Sequence, residues 1–449
     1  MSATLPCHRV SNRALQAKGI LDAIEKAYQP DSPMFTLQFD NGSQTLILAD
    51  SRHVQYWLDH DDHFTKEMND TRSSSALGRI QFGQSLTFAR DGNEWRQLRA
   101  LTTPTVNPKQ PGLKQANEDA AQWLSDCFSS QSIIGDLWPL CLEWATRCVL
   151  APFLGSQIDT DTAIALTKRH QEVFFHLVEQ AEYQDKAALY LDLHVQAFRS
   201  ELALIIDKAL HHAPPDDTTQ LRQLAQRLDI QRHPEQLAFL TDLMMGNLLG
   251  SVDNPASTLL WCLVHLARHP KVIDQIRQES HNMAHRDWSI QRCPVTLAAI
   301  KECLRLSPVQ PLVERCTARD IILDGVPIAK GTHVLFCSWL IHRNAQYWPH
   351  PDEFDIHRFT ERQRPDPTQY FPFGIGPRTC VGMSLTLNQL AMALLVLCRE
   401  HDWSLDQSVT SLQLRPEFKL NLRPRGPICI RTTLNKTSQS TPTTQEELL

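Results

Sequence analysis

The chain has 449 residues, 42% hydrophobic and 21% charged, a balance that excludes a disordered or fibrous protein and supplies enough apolar side chains for a large core. Its 44 Lys and Arg residues are outweighed by 50 Asp and Glu, a formal charge of -6, so no global basic field exists to hold a nucleic-acid backbone. Length alone gives a prior of about two or three domains, although large helical enzymes of this size also fold as one unit.

The opening stretch MSATLPCHRVSNRALQAKGILDAIEKAYQP has no continuous apolar run. A membrane span needs about twenty apolar residues and a signal peptide a shorter unbroken core, so a soluble, cytoplasmic chain without a membrane anchor is expected. Two strand-like pieces follow, MFTLQF and QTLILA. Apolar residues three and four apart then predict helices in ANEDAAQWLSDCF, LWPLCLEWATRCVLAPFL, YLDLHVQAFRSELALIIDKALHH and the long stretch LAFLTDLMMGNLLGSVDNPASTLLWCLVHLARHP. Beyond it come a helix in TLAAIKECLRLSP, short strands in DIILDGVPI and THVLFC, a helix in LTLNQLAMALLVLCRE, and short strands in FKLNLRP and PICIRT. The end, TTLNKTSQSTPTTQEELL, is rich in Thr, Ser and Gln and reads as a disordered tail. The expected fold class is mainly α with small β-sheets, with no βαβ alternation and no GxGxxG to mark a nucleotide site.

Twelve cysteines are scattered without a CxxC pair, which fits neither a disulfide framework nor a zinc ribbon. Most are expected as small buried hydrophobes. Cys380 differs. It lies in Tyr370-Phe371-Pro372-Phe373-Gly374-Ile375-Gly376-Pro377-Arg378-Thr379-Cys380-Val381-Gly382, directly before a helical run. Gly374, Gly376 and Gly382 describe a tight loop folded against something flat or bulky. A helix start, with its unpaired N–H groups, and the nearby cation of Arg378 favour a thiolate. Elsewhere, Glu302 and Arg305 share one helix face and can pair, as can Trp95 and Arg99. His265 and His269 have zinc spacing, but Leu266 stands where a catalytic Glu would be. His211-His212 and His60-Asp61-Asp62-His63 read as solvated faces.

The pattern Phe373-xx-Gly376-x-Arg378-x-Cys380-x-Gly382 resembles the haem-binding loop of cytochrome P450 enzymes. The order Trp95, Asp253, Glu302, Arg358, Cys380 matches that family from about residue 30 to 430. The resemblance implies a single catalytic domain over 1–432, a tail over 433–449, and a haem b held between a long distal helix and the cysteine loop. Cys380 would be the axial thiolate and metal ligand, with Phe373 packed beside the sulfur and Gly382 close to it. Arg378, Trp95, Arg99 and Arg315 would hold the haem propionates. Glu302, Arg305 and Arg358 would form the structural core that fixes the loop.

The distal segment departs from the pattern. It reads Gly250-Ser251-Val252-Asp253-Asn254-Pro255, keeping the acid but not the usual threonine. Asp253 would relay protons from solvent, whereas the Asn254 amide can hold a water but does not readily pass a proton. Pro255 leaves two readings open, a kinked helix or two half-helices with Asn254 as a new N-cap.

The resemblance implies a monomeric, bacterial monooxygenase of secondary metabolism that uses O2, a small apolar or amphipathic substrate and a separate ferredoxin or flavodoxin. That donor would dock at Arg96, Arg362, Arg364 and Arg399. The alternative is a peroxygenase or substrate-rearranging enzyme, prompted by Asn254 and Pro255. Against it, no Arg lies between Thr241 and Trp261. Pocket walls by resemblance include parts of residues 72–88, 244–254 and 309–313 and the turn near Phe418, with Asn247, Gln310 and Arg79 as polar groups.

Overall fold

A computed structural model describes residues 5–67, 74–155, 158–181, 186–212, 218–283, 290–360 and 364–435. Helices dominate, and their starts are written in the sequence. Proline opens Pro111–Ser130, Pro270–His281 and Pro294–Leu306, where the missing N–H costs nothing. Aspartate caps others: Asp136 accepts from Trp138 N at 3.1 Å, and Asp159 from Thr162 N at 2.7 Å.

The centre of the molecule is the helix Leu237–Ala267, called here the long helix, packed against Leu137–Leu154. It stays helical through Pro255, so Asn254 is not the cap of a second half-helix. Pro255 cannot donate to Ser251 O, yet the turn holds because burial of Leu248, Val252, Ala256 and Leu259 on the packed faces outweighs one missing bond. Thr258 Oγ1 also donates to Asn254 O at 2.9 Å and ties the next turn. Pro111–Ser130 and the helix Met383–Glu400 complete the main helical layer, whose core includes the fully buried Trp144, Phe153, Leu263 and Leu394.

Beside this layer lies a six-stranded mixed sheet, in the order Cys7–Val10, Met34–Phe39, Gln44–Leu48, His333–Cys337, Leu312–Thr317, Phe64–Thr65. Leu46 pairs in parallel with Val334, so the N-terminal strands and the segment after residue 311 close into one unit. DIILDGVPI is a hairpin, Ile321–Leu323 against Val326–Ile328, turned by Asp324 (φ 52°) and Gly325 (φ 77°). FKLNLRP also folds back on itself, with Pro416–Phe418 antiparallel to Leu422–Pro424. The strand Ile430–Leu434 pairs with His401–Leu405 through Leu434, so order runs two residues past the expected boundary at 432. Residues 436–449 lie outside the described residues.

Candidate functional site

The loop before Met383–Glu400 is closed by its own backbone. Gly374 N donates to Phe371 O at 2.9 Å, Thr379 N to Gly376 O at 3.1 Å, and Cys380 N to Phe373 O at 2.9 Å. Gly374 and Gly376 both have φ 73°, the left-handed region that side chains resist. Gly382 differs from expectation: its φ is -86°, and a Cβ there would meet only Cys380 Sγ at an ordinary contact of 3.9 Å, so neither the backbone nor the surrounding polypeptide requires glycine there. Phe373 packs against the main core.

Cys380 keeps accessible surface as a residue although protein surrounds its thiol. Burial pushes the thiol up, opposed by the N–H groups of Gly382 and Met383 and by the Arg99 cation. Without a metal, desolvation therefore outweighs the helix start. Arg99, rather than the expected Arg378, is the cation acting on the sulfur, and its Nη1 donates to Thr379 O.

Arg378 is otherwise engaged. Its Nε donates to Asp91 Oδ1 at 2.8 Å and its Nη2 to Ala89 O at 2.9 Å. Trp95 takes both cations near its ring, with Arg378 at 5.3 Å and Arg99 at 5.8 Å from the centroid. Arg315 lies within the strand Leu312–Thr317, stacked 4.4 Å from the Trp57 ring, and burial with Arg378 nearby holds it down to about 10. Lys66, which the sequence reading missed, is pushed down to about 7 by burial and by the charges of Arg315 and Arg378.

Glu302 and Arg305 form a bidentate pair, and Arg358 Nε reaches Glu302 Oε1 at 3.3 Å. The Pro294–Leu306 helix is thus tied to the chain before the cysteine loop, for Arg305 also donates to His342 O (2.9 Å), Pro351 O (2.6 Å) and Glu353 O (2.9 Å).

Across the long helix, Asn247, Gly250, Ser251 and Asn254 keep accessible surface among buried neighbours. Their spacing sets them on one face, and a Cβ on Gly250 would meet nothing within 4 Å. Asp253 belongs to another face. It is buried, its carboxylate accepts from Gln171 Nε2 at 2.9 and 3.1 Å, and burial raises its pKa against the pull of Arg423. Nothing in the sequence pointed to Gln171, whose helix Thr160–Gln180 carries no motif.

Other sequence candidates fall elsewhere. His265 bonds Ser307 Oγ at 3.0 Å, and His269, just past the long helix, bonds His265 O at 2.7 Å. Among the described residues no cluster of three His, Cys, Asp or Glu side chains forms a metal site. Arg79, in the helix Ser74–Phe82, donates to Phe88 O at 2.8 Å and pairs with Glu94. Of the basic residues, Arg96 and Arg364 are exposed and Arg399 half-buried, while Arg362 lies outside the described residues, as do 72 and 73 of the expected pocket wall. A groove of about 750 Å³ borders Val381 and Ser384, but Cys380 does not line it.

Residues 181–429 match the family model for Cytochrome P450. Cytochrome P450 3A17 of Cavia porcellus is 33% identical over 191 residues, covering 41% of this chain and 38% of that relative, so the chain spans well under half of it. Flavonoid 3'-monooxygenase CYP75B137 of Crocosmia x crocosmiiflora is 25% identical over 454 residues, covering 92% and 87%. The crystal structure of cytochrome P450DA heme domain superposes with a TM-score of 0.79 at 19% identity, over 98% of this chain and 99% of that one, and so shares the fold.

Proposed function

The chain belongs to the cytochrome P450 family, and from that premise we propose that it is a haem-thiolate monooxygenase. It inserts one atom of O2 into a small apolar or amphipathic molecule, with electrons from a separate ferredoxin- or flavodoxin-type donor. The observation that carries this reading is Cys380, a residue with accessible surface in a glycine-shaped loop, with Arg99 acting on its thiol and Lys66, Arg315 and Arg378 grouped together, Arg378 sharing the Trp95 ring with Arg99. The residues fit a haem b. A cysteine with accessible surface precedes a helix start, Lys66, Arg315 and Arg378 lie close enough to repel one another beside Asp91, and the long helix offers an accessible stripe at Asn247, Gly250, Ser251 and Asn254.

When bound, haem with a thiolate ligand supplies the cleavage of the O–O bond. The chain's own residues do the rest. Cys380 would be the residue that holds the metal, its thiolate form favoured by the N–H groups of Gly382 and Met383 and by Arg99. Lys66, Arg315 and Arg378 supply positive charge for two propionates, while Trp95 spaces Arg99 from Arg378. Glu302, Arg305 and Arg358 fix the backbone that carries the cysteine. Asp253, with its raised pKa, holds a proton more readily than an ordinary aspartate and hands it toward the open stripe, oriented by Gln171. Arg96, Arg364 and Arg399 supply the docking charge for an acidic electron donor.

A second reading, peroxide-driven oxygenation or rearrangement of an already oxygenated substrate, draws on Asn254 standing where an acid-relaying hydroxyl is usual. Retention of Asp253 favours the first. The relatives named above are animal and plant proteins, so a bacterial setting draws no support from them. Two measurements test the proposal. The reduced, CO-bound spectrum should carry a red-shifted Soret band that Cys380→Ser abolishes, and product should require NAD(P)H with redox partners. A haem-loaded protein without that band refutes thiolate ligation, and turnover on H2O2 alone selects the second reading.

A further inference from the structure

Two amides on different elements meet at the open stripe of the long helix. Gln310, between the Pro294–Leu306 helix and the strand Leu312–Thr317, keeps accessible surface although its neighbours Val309 and Pro311 are buried. Its Nε2 donates to Leu420 O at 2.9 Å and to Asn254 Oδ1 at 3.4 Å. A backbone carbonyl only accepts, so the Gln310 atom facing Leu420 is the NH2 group. The same NH2 faces Asn254, which makes the facing Asn254 atom the oxygen. Asn254 Nδ2 is thereby turned to Gly250 O at 3.5 Å, the outer limit of a hydrogen bond.

This arrangement leaves a specific residue of hydrogen-bonding capacity. Among the described residues, Gln310 Oε1 accepts from no group and Asn254 Nδ2 has only its long contact with Gly250 O. One free acceptor and one under-used donor therefore stand side by side on linked amides. We propose that Asn254 and Gln310 are specificity-determining residues for a substrate bearing a hydroxyl group on an apolar skeleton. The hydroxyl donates to Gln310 Oε1 and accepts from Asn254 Nδ2, matching both groups at once. A ketone matches only the donor and a hydrocarbon matches neither. This rests on the haem-thiolate reading, which makes the open stripe the substrate side.

The test uses haem-loaded wild type, Gln310→Leu and Gln310→Met, with 1-decanol, 2-decanone and decane as probes. Dissociation constants come from equilibrium dialysis and from the Soret shift on binding. In both variants the alcohol-to-hydrocarbon affinity ratio should fall about 10-fold, as expected for one lost hydrogen bond, with decane binding unchanged and the ketone ratio falling less. A ratio that is the same in wild type and both variants overturns the assignment. Failure of the underlying reading looks different: wild type would then lack the thiolate CO band, whatever the dissociation constants are.

Discussion

Arg305 grips Glu302 through two parallel hydrogen bonds, Nε to Oε2 and Nη2 to Oε1, each 2.8 Å, and neither side chain has any accessible surface. Such a pair does not stabilise a fold by charge attraction alone, because both ions are taken out of water. Its use here is positional. Arg305 spends its remaining N–H groups on the carbonyls of His342, Pro351 and Glu353, and Glu302 Oε1 accepts from Asp355 N at 2.9 Å. One buried pair therefore fixes the course of residues 342–358, from which the cysteine loop is hung.

Glu302→Ala leaves Arg305 buried without its carboxylate, at a cost of about 3–5 kcal/mol. The expected product is insoluble or haem-poor protein. The ratio of haem absorbance to protein after purification measures this, and normal haem loading would refute the positional role.

The loop glycines differ in what a side chain at each would meet. Gly374→Ala puts a side chain at φ 73° with nothing to clash against, so it should lose about 1–2 kcal/mol of stability through backbone strain alone. Gly382→Ala has no such strain, but adds a methyl 3.9 Å from Cys380 Sγ. It should leave the urea midpoint nearly unchanged while moving the Soret band of the haem-loaded protein. Equal losses of stability in both variants would show that the distinction is wrong.

What the sequence made legible were relations carried by short spacing. Glu302 with Arg305, Trp95 with Arg99, and the glycines before Cys380 lie within single turns or one loop, so spacing alone brings each set together. Asp253 was found for the same reason, but its partner Gln171 was not, because that bond spans 82 residues and depends on how two helices cross. Lys66 escaped notice likewise: its perturbation comes from burial and then from Arg315 and Arg378, all of which only the folded sheet and loop supply. Around Pro255 the local rules permitted both a break and a continuation, and burial of the surrounding apolar residues decided for continuation. The fold class followed from periodicity, whereas the parallel pairing of Leu46 with Val334 had no local signal at all.

Asp253→Asn removes the proton-holding group but keeps a side chain that can still bond Gln171 Nε2 through its oxygen. Haem loading and the CO spectrum should therefore stay as in wild type, while kcat falls about 10- to 100-fold and its solvent isotope effect rises. Unchanged kcat across pH 6 to 9, as pH values chosen for the assay, would remove Asp253 from the proton path.

His342 gives the fold an acid-sensitive joint. It is fully buried, its Nε2 accepts from Phe371 N at 3.1 Å at the head of the cysteine loop, and burial with Arg343 and Arg305 nearby pushes its pKa down to about 3. Between about 3 and the ordinary 6.5 the unfolded chain binds a proton that the folded chain refuses, so stability is intact above 6.5 and falls as pH drops through that window. His342→Gln keeps an acceptor for Phe371 N–H but cannot titrate. Urea unfolding between pH 6.5 and 4.5 should then show a wild-type slope steeper than the variant's by up to about 1.4 kcal/mol per pH unit, the value for one proton. His265 and His170, held down to about 3 and about 4, keep the residual slope of the variant above zero. Identical slopes in the two proteins would mean that His342 does not take up the proton, and the acid sensitivity of the loop would have to lie with those other histidines.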